Sequence, residues 1–151
     1  MDEAPAASDT SRRRMVAAVD GSAASRAALA RAAEEARAHQ GILQVVYAWN
    51  YLDQAHLMTF DPGYGEAEAR AWLERFIDDV LPERPDDTEL RLINDHAARA
   101  LIDASVGAWT VVIGSRGMGG FKGLLMGSVS QQVVHHAHCA VLVIPTTSED
   151  N

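Results

Sequence analysis

The residues of this chain best suited to chemistry form a glycine-rich segment in its last third. A short apolar, β-branched run over 111–113 ends at Gly114, and Gly117 follows three positions later. After nine more residues, Gly127 and Ser128 open a stretch with helical spacing. This order predicts a buried strand, a loop of bare backbone N–H groups and a helix N-terminus, a combination that can hold a phosphate chain.

Two common phosphate-binding patterns are absent from this segment. A Walker loop would need Ser or Thr after Lys122, and the chain has Gly123 there. A dinucleotide loop would need a third glycine where Lys122 stands. On spacing alone, the glycines are explained equally well by a tight connection between a strand and a helix.

The composition narrows the classes of partner. The chain has 151 residues and a net charge of −8, from 13 basic and 21 acidic side chains. This length predicts one domain. Nucleic acids and anionic membranes favour a basic surface, so neither is expected as a partner. A bound polyphosphate must therefore rely on local N–H groups and one or two basic side chains.

The cysteine count and hydropathy pattern predict a cytoplasmic protein. Cys139 is the one cysteine, so no intramolecular disulfide can form. No run approaches the ~18 apolar residues of a membrane span. We expect a disordered leader over 1–13, a nucleotide-binding domain over 14–146 and a polar tail over 147–151.

Strand and helix patterns alternate along the domain. Strands are predicted at 15–19, 42–49, 88–93, 110–113 and 140–144, and helices at 23–39, 66–81, 97–107 and 128–138. Alternation predicts an α/β fold, with a parallel sheet covered on both faces in a flavodoxin-like or Rossmann-like order. Three strands (15–19, 110–113 and 140–144) are nearly all apolar, as in buried parallel strands. Gly41 is expected at the C′ position that ends the first helix.

The glycine segment resembles the ATP-binding signature of the universal stress protein family, G-x2-G-x9-G-[ST]. Gly114, Gly117, Gly127 and Ser128 occupy its fixed positions. Flanking segments also resemble the family's strands, at 16–22, 44–48 and 140–145. The resemblance extends over about residues 13 to 146. It implies one domain with a five-stranded parallel sheet in the order 3-2-1-4-5.

The resemblance also implies roles for residues around the first strand. Asp20 would contact the nucleoside, in the crevice that Gly114 faces. The side chains expected along the adenine pocket are Ala18, Val19, Ala48 and Ile113. Ala18 departs from the best-studied nucleotide-binding pattern, which has proline there. Without a ligand, a turn or helix cap ahead of Ser22 would equally explain Asp20.

The same resemblance also implies which residues would contact the phosphates. Gly114 and Gly117 would let the backbone approach the phosphates, and Arg116 could pair with them. N–H groups and hydroxyls at the helix start would come from Gly127, Ser128, Val129 and Ser130. Ser128 is also expected to cap that helix. The implied cofactor is ATP or another adenine nucleotide, with Mg²⁺ or Mn²⁺.

Three functions are compatible with these residues. The first is an ATP-binding regulatory protein of the stress response that forms a homodimer through the edge strand 140–144. The second is a dimeric interaction module that does not need nucleotide. The third is a slow ATPase or self-phosphorylating enzyme. No catalytic residue is assigned, because Asp20 is the one acid near the site and no general base accompanies it.

A cluster of histidines near the C-terminus invites a metal site, but its spacing argues against one. Within the predicted helix, His135 and His138 share a face, whereas His136 does not. No acidic residue lies near them in sequence to complete a ligand shell. These histidines and Cys139 are therefore predicted to be structural.

Overall fold

The computed structural model describes residues 11–49, 65–117 and 126–145. Strands and helices alternate along these residues, as the sequence pattern predicts. The strands are β1 (Arg14–Val19), β2 (Ile42–Ala48), β3 (Thr88–Ile93), β4 (Thr110–Gly114) and β5 (Ala140–Ile144). The helices are α1 (Ala23–Ala38), α2 (Glu66–Val80), α3 (Ala97–Ser105) and α4 (Ser128–His136). No helix along these residues is long and apolar enough to cross a membrane.

The five strands form one parallel sheet in the order β3-β2-β1-β4-β5. This confirms the α/β fold and the strand order implied by the resemblance. Chain order reverses between β1 and β4, which pair directly through Met15 with Thr110 and Ala17 with Val112. The carboxyl ends of these two strands therefore border one crevice, where open α/β sheets bind their ligands.

Alternate residues of the strands supply two core layers. Met15, Leu43 and Val112 pack with α1 and α2 on one face of the sheet. Val16 and Val111 pack with α3 and α4 on the other. The two-residue period of a strand thus assigns neighbours to opposite layers. The crevice opens on the second face, between α3 and α4.

Strand β5 differs from the other apolar strands in its burial. Every residue of β4 is buried, and so is β1 from Met15 onward. In β5, Ala140 is exposed and the following residues are only partly buried. The prediction of a buried strand is therefore wrong for β5, because an edge strand lacks a neighbour on one side.

The end of α1 corrects the expected role of Gly41. The residue with positive φ is Gln40, at 50°, so Gln40 occupies the C′ position. The Gln40 N–H donates to Arg37 O at 3.2 Å and the Gly41 N–H donates to Ala36 O at 2.8 Å. These bonds form a Schellman motif. Gly41 is instead required because a β-carbon there would overlap the carbonyl oxygen of Arg13.

The end of α4 changes the interpretation of the histidine cluster. The helix ends at His136, and Ala137 is extended with ψ 147°. His138 therefore does not share a helix face with His135, and its N–H donates to Ser105 Oγ at 2.9 Å. Helix α3 is also shorter than predicted, since it ends at Ser105. Among the described residues, no group of three or more metal-ligating side chains is close enough to hold an ion.

The Cys139 thiol is a poor nucleophile in this setting. Burial raises its pKa, and a hydrogen bond with the backbone of Val111 lowers it by less. The thiol is therefore mostly protonated at neutral pH.

The folded region begins before residue 14. Arg12 pairs with Asp87 and donates to Gln40 O at 3.0 Å, and the Arg13 guanidinium lies 4.1 Å from the Trp109 ring centroid. Both arginines belong to the leader predicted from the sequence, yet they contact the domain. Residues 1–10 of that leader and the tail over 147–151 lie outside the described residues.

The contact between α1 and β4 explains why residue 114 is a glycine, without reference to a ligand. A β-carbon on Gly114 would lie 2.5 Å from Ala24 Cβ and 3.1 Å from Ala24 C. The glycine therefore allows α1 to pack directly on the end of β4.

Exchanging the two side chains tests this packing. We expect Gly114→Ala to lower the free energy of unfolding by about 1–3 kcal/mol through overpacking. Ala24→Gly alone should cost about 0.5–1 kcal/mol. In urea unfolding, the double variant should be more stable than the sum of the single effects predicts. If the effects of the two single substitutions simply add in the double variant, the contact between residues 24 and 114 is not the cause of the destabilisation.

Candidate functional site

A cleft of about 170 Å³ lies at the carboxyl ends of β1 and β4. Every predicted site residue lines it: Ala18, Val19, Asp20, Ala48, Ile113, Gly114, Arg116, Gly117, Gly127, Ser128, Val129 and Ser130. The sequence did not indicate five further lining residues: Ser22, Ser25, Val46, Ala97 and Leu101. Segments that lie up to 112 positions apart in sequence thus meet at one site.

One side of the cleft is apolar. Ala18 pairs with Val46 across β1 and β2, and both belong to the layer under α3. Ala97 and Leu101 are one turn apart on α3 and face these strands. Alternation could have indicated Val46, because it lies two residues before Ala48. The α3 residues could not be found from sequence, since their role depends on where that helix crosses the sheet.

The turn after β1 is held by Asp20 and Ser22. Asp20 Oδ1 accepts from Ser22 N–H at 2.9 Å and from Ser22 Oγ–H at 2.5 Å. Ser22 Oγ in turn accepts from Ser25 N–H at 3.1 Å and caps α1. Asp20 therefore has the turn-forming role that the sequence left open. This role uses one carboxylate oxygen at the edge of the cleft.

Gly21 is required in this turn for two reasons. Its φ is 89°, in the left-handed region that favours glycine. A β-carbon would also lie 3.1 Å from Cζ2 of Trp72. Trp72 in turn packs against Tyr47 and Phe76, with ring centroids 4.7 Å and 5.2 Å away. An aromatic cluster between α2 and β2 thus supports the turn that positions Asp20.

The two ends of the glycine loop meet at a single carbonyl group. Ser115 O accepts from Gly127 N–H at 2.6 Å and from Ser130 Oγ–H at 2.7 Å. Ser130 is 2% exposed. Its hydroxyl group therefore donates to the backbone within the protein. Ser130 can still offer its backbone N–H.

The N-terminus of α4 differs from that of α1 in its capping. Its N-cap is Gly127, not Ser128 as the sequence suggested, and no side chain in the described part of the chain caps it. The first N–H groups of a helix have no partner within the helix and carry partial positive charge. Ser128 is exposed at the first helical position. In contrast to α1, α4 therefore presents its N–H groups to the cleft.

Gly117 brings the two loops together. A β-carbon on Gly117 would overlap Oδ2 of Asp20. The glycine therefore makes room for the Asp20 carboxylate, which the sequence did not indicate. Among the described lining residues, the charged side chains are Asp20 and Arg116.

The chain is similar to known proteins over almost all of its described length. The sequence profile of the universal stress protein family matches residues 11–145. A universal stress protein of Mycobacterium tuberculosis is 36% identical over 126 residues, which cover 83% of this chain and 43% of that protein. The chain thus spans less than half the length of this relative.

Solved structures share the fold. Universal stress protein UspA from Lactobacillus plantarum has a TM-score of 0.71 at 22% identity, covering 88% of this chain and 97% of that one. A universal stress protein crystallised in complex with cAMP has a TM-score of 0.67 at 25% identity, covering 90% and 98%. The family profile, the curated relative and the shared strand order agree: this chain belongs to the universal stress protein family.

Proposed function

We propose that this protein binds an adenine nucleotide, specifically ATP, in the cleft between β1 and β4 and acts as a cytoplasmic regulatory protein of the stress response. The observation that carries the proposal is the pairing of an apolar slot with the uncapped N-terminus of α4 in one cleft. A member of the family with this fold was crystallised with cAMP, which supports an adenine nucleotide as the ligand class.

The apolar slot would hold the adenine ring. Ala18, Ala48 and Ala97 have small side chains, which leave room for a flat ring between the sheet and α3. Val46 and Leu101 would contribute larger apolar contacts. Most pockets for small ligands combine such apolar walls with a few polar groups. Asp20, at the edge of the slot, would contact the nucleoside.

The N-terminus of α4 would hold the phosphates. Gly127 lacks a side chain that could occupy the anion position, and the N–H groups of Ser128, Val129 and Ser130 belong to the first turn, which has no partners within the helix. Such a terminus attracts anions through its N–H groups and the helix dipole. Arg116, which lines the same loop, would add a charge-assisted contact.

The donors around the cleft fit a divalent cation that arrives with the nucleotide. Mg²⁺ is commonly held by one or two carboxylates together with substrate phosphates. Asp20 is the carboxylate among the described lining residues, so it would face the ion directly or through water. The ion would reduce the negative charge of the phosphate chain.

The cleft favours binding over catalysis. Phosphoryl transfer needs a residue that orients or deprotonates the nucleophile. Asp20 already accepts two hydrogen bonds from Ser22 through one oxygen. We therefore assign no catalytic residue. Phosphate release well above that of a Gly117 variant would instead support a slow ATPase.

The central test places a carboxylate where the phosphate would lie. Asp at the first helical position is compatible with the helix dipole, so Ser128→Asp should leave the fold intact. By isothermal titration, we expect the wild-type protein to bind Mg-ATP with a Kd below about 100 μM, which corresponds to a binding free energy of about 5–6 kcal/mol in magnitude. Ser128→Asp should weaken binding at least about tenfold through charge repulsion.

Gln132→Glu is the matched control. It adds the same charge to an exposed position of α4 that does not line the cleft. Its affinity for Mg-ATP should stay within twofold of the wild type. No heat with the wild-type protein, or equal losses in both variants, would contradict the proposed phosphate site.

A second proposal concerns self-association through β5. Its residues are apolar and only partly buried, and β5 is the edge of the sheet. A bare apolar edge strand pairs readily with another chain. We propose that two β5 strands pair across a two-fold axis to form a homodimer. This dimer could serve partner binding with or without nucleotide.

Backbone direction allows a specific test of the dimer. Ile144 O accepts from Ser115 N–H on the β4 side, so the neighbouring Val143 directs its backbone groups to the open edge. Val143→Pro removes an outward N–H and leaves the pairing with β4. We expect the wild type to be a dimer in light scattering, Val143→Pro a monomer and Val143→Ile a dimer. If the wild-type protein is still a monomer at about 100 μM, its dimerisation Kd is weaker than that concentration, and the proposed dimer would be overturned.

A further inference from the structure

A cluster of polar and aromatic side chains lies at the amino-terminal edge of the sheet, opposite the cleft. Arg13 precedes β1, Trp109 precedes β4, and His39 is the C-cap of α1. Arg13 Nη1 lies 2.7 Å from His39 Nδ1, and Arg13 Cζ lies 4.1 Å from the Trp109 ring centroid. The ring centroids of His39 and Trp109 are 6.3 Å apart. The Arg13 guanidinium is therefore held between a histidine and a tryptophan.

The contact with Arg13 determines which nitrogen of His39 carries a proton. A guanidinium group has donors only, so His39 Nδ1 must accept through its lone pair. The imidazole is then neutral, with its single proton on Nε2. Nε2 lies 3.5 Å from Glu35 Oε2, and Glu35 Oε1 accepts from Arg31 Nε–H at 2.9 Å. Within the described residues, the groups around the ring are thus Arg13 before β1, Glu35 on α1 and Trp109 before β4.

A second proton on His39 changes this contact from attractive to repulsive. Imidazoles change charge between about pH 5 and 8. A proton on Nδ1 turns the acceptor into a donor, so the bond from Arg13 is lost and two cations face each other. Glu35 can pair with either form, because Nε2 carries a proton in both. Arg13 and His39 are exposed, and two unit charges about 4 Å apart in water-like surroundings shift an equilibrium about fivefold.

We infer that Arg13 and His39 form a pH-sensitive clasp over Trp109: neutral His39 holds the guanidinium on the indole ring, and protonated His39 releases it. Only the side chain is released, because Arg13 O accepts from Ile42 N–H at 2.8 Å within the sheet. Trp109 is 49% exposed with Arg13 in place, and the exposed Val106 precedes it in the same loop. Acid therefore enlarges an apolar surface at this edge. The inference is independent of the proposed nucleotide site.

The test follows the δ-methylene protons of Arg13 by NMR at about pH 8 and about pH 5. Protons above an indole ring are shifted upfield, and Trp109→Ala supplies the shift of an unstacked Arg13. In the wild type, we expect the ratio of held to released Arg13 to be at least about fivefold lower at the lower pH. The ¹⁵N shifts of the His39 ring should show the proton on Nε2 at the higher pH.

Two substitutions of His39 remove the charge change. His39→Gln has a carbonyl oxygen that can accept from Arg13, so the upfield shift should be the same at both pH values. His39→Phe lacks the acceptor and should show no pH dependence either. His96→Gln is the matched control, because it removes an exposed histidine at the N-cap of α3, at the opposite edge of the sheet. It should respond to pH as the wild type does.

Circular dichroism at both pH values should confirm that each variant is folded. An Arg13 shift that is equal at both pH values in the folded wild type would overturn the clasp. A proton on Nδ1 in place of Nε2 at the higher pH would overturn it as well. So would a pH response in His39→Gln or His39→Phe as large as that of the wild type.

Discussion

The parallel pairing of β1 with β4 is the constraint on which the site depends. The two strands are parallel, so the chain leaves both at the same edge of the sheet, and strand order reverses at this pair, so α1 and α4 pack on opposite faces. Helices α1 and α4 consequently begin on either side of one crevice. Gly114 allows α1 to pack against the end of β4, because a side chain there would collide with Ala24. Packing within the protein therefore already requires glycine at position 114, whether or not a ligand is bound.

The two helix N-termini at this crevice differ in how they are capped. The start of α1 is capped by Ser22, whose own N–H and hydroxyl donate to Asp20. The start of α4 has Gly127 at its cap and no capping side chain in the described residues. One terminus is therefore satisfied internally and the other can receive an anion. The cleft therefore has two different ends in the proposed binding mode, the apolar slot near α3 and the phosphate position at α4.

The sequence predicts the elements and most of the cleft, but not the reasons for individual glycines. Strand and helix patterns follow from local periodicity, and strand order followed from the resemblance. Gly41, Gly114 and Gly117 depend on contacts with residues distant in sequence, Arg13, Ala24 and Asp20. Local patterns contain no information on such contacts. The lining roles of Ala97 and Leu101 were missed for the same reason, because they depend on where α3 crosses the sheet.

The most direct measurement of the central claim is a titration of the ¹⁵N-labelled protein with Mg-ATP, followed by backbone amide shifts. The largest shifts should belong to Ser128, Val129 and Gly117, whose N–H groups border the phosphate position. Trp109, at the opposite end of β4, should not move. Saturable shifts at α4 would support the account. Shifts that map elsewhere, or none at millimolar Mg-ATP, would contradict it.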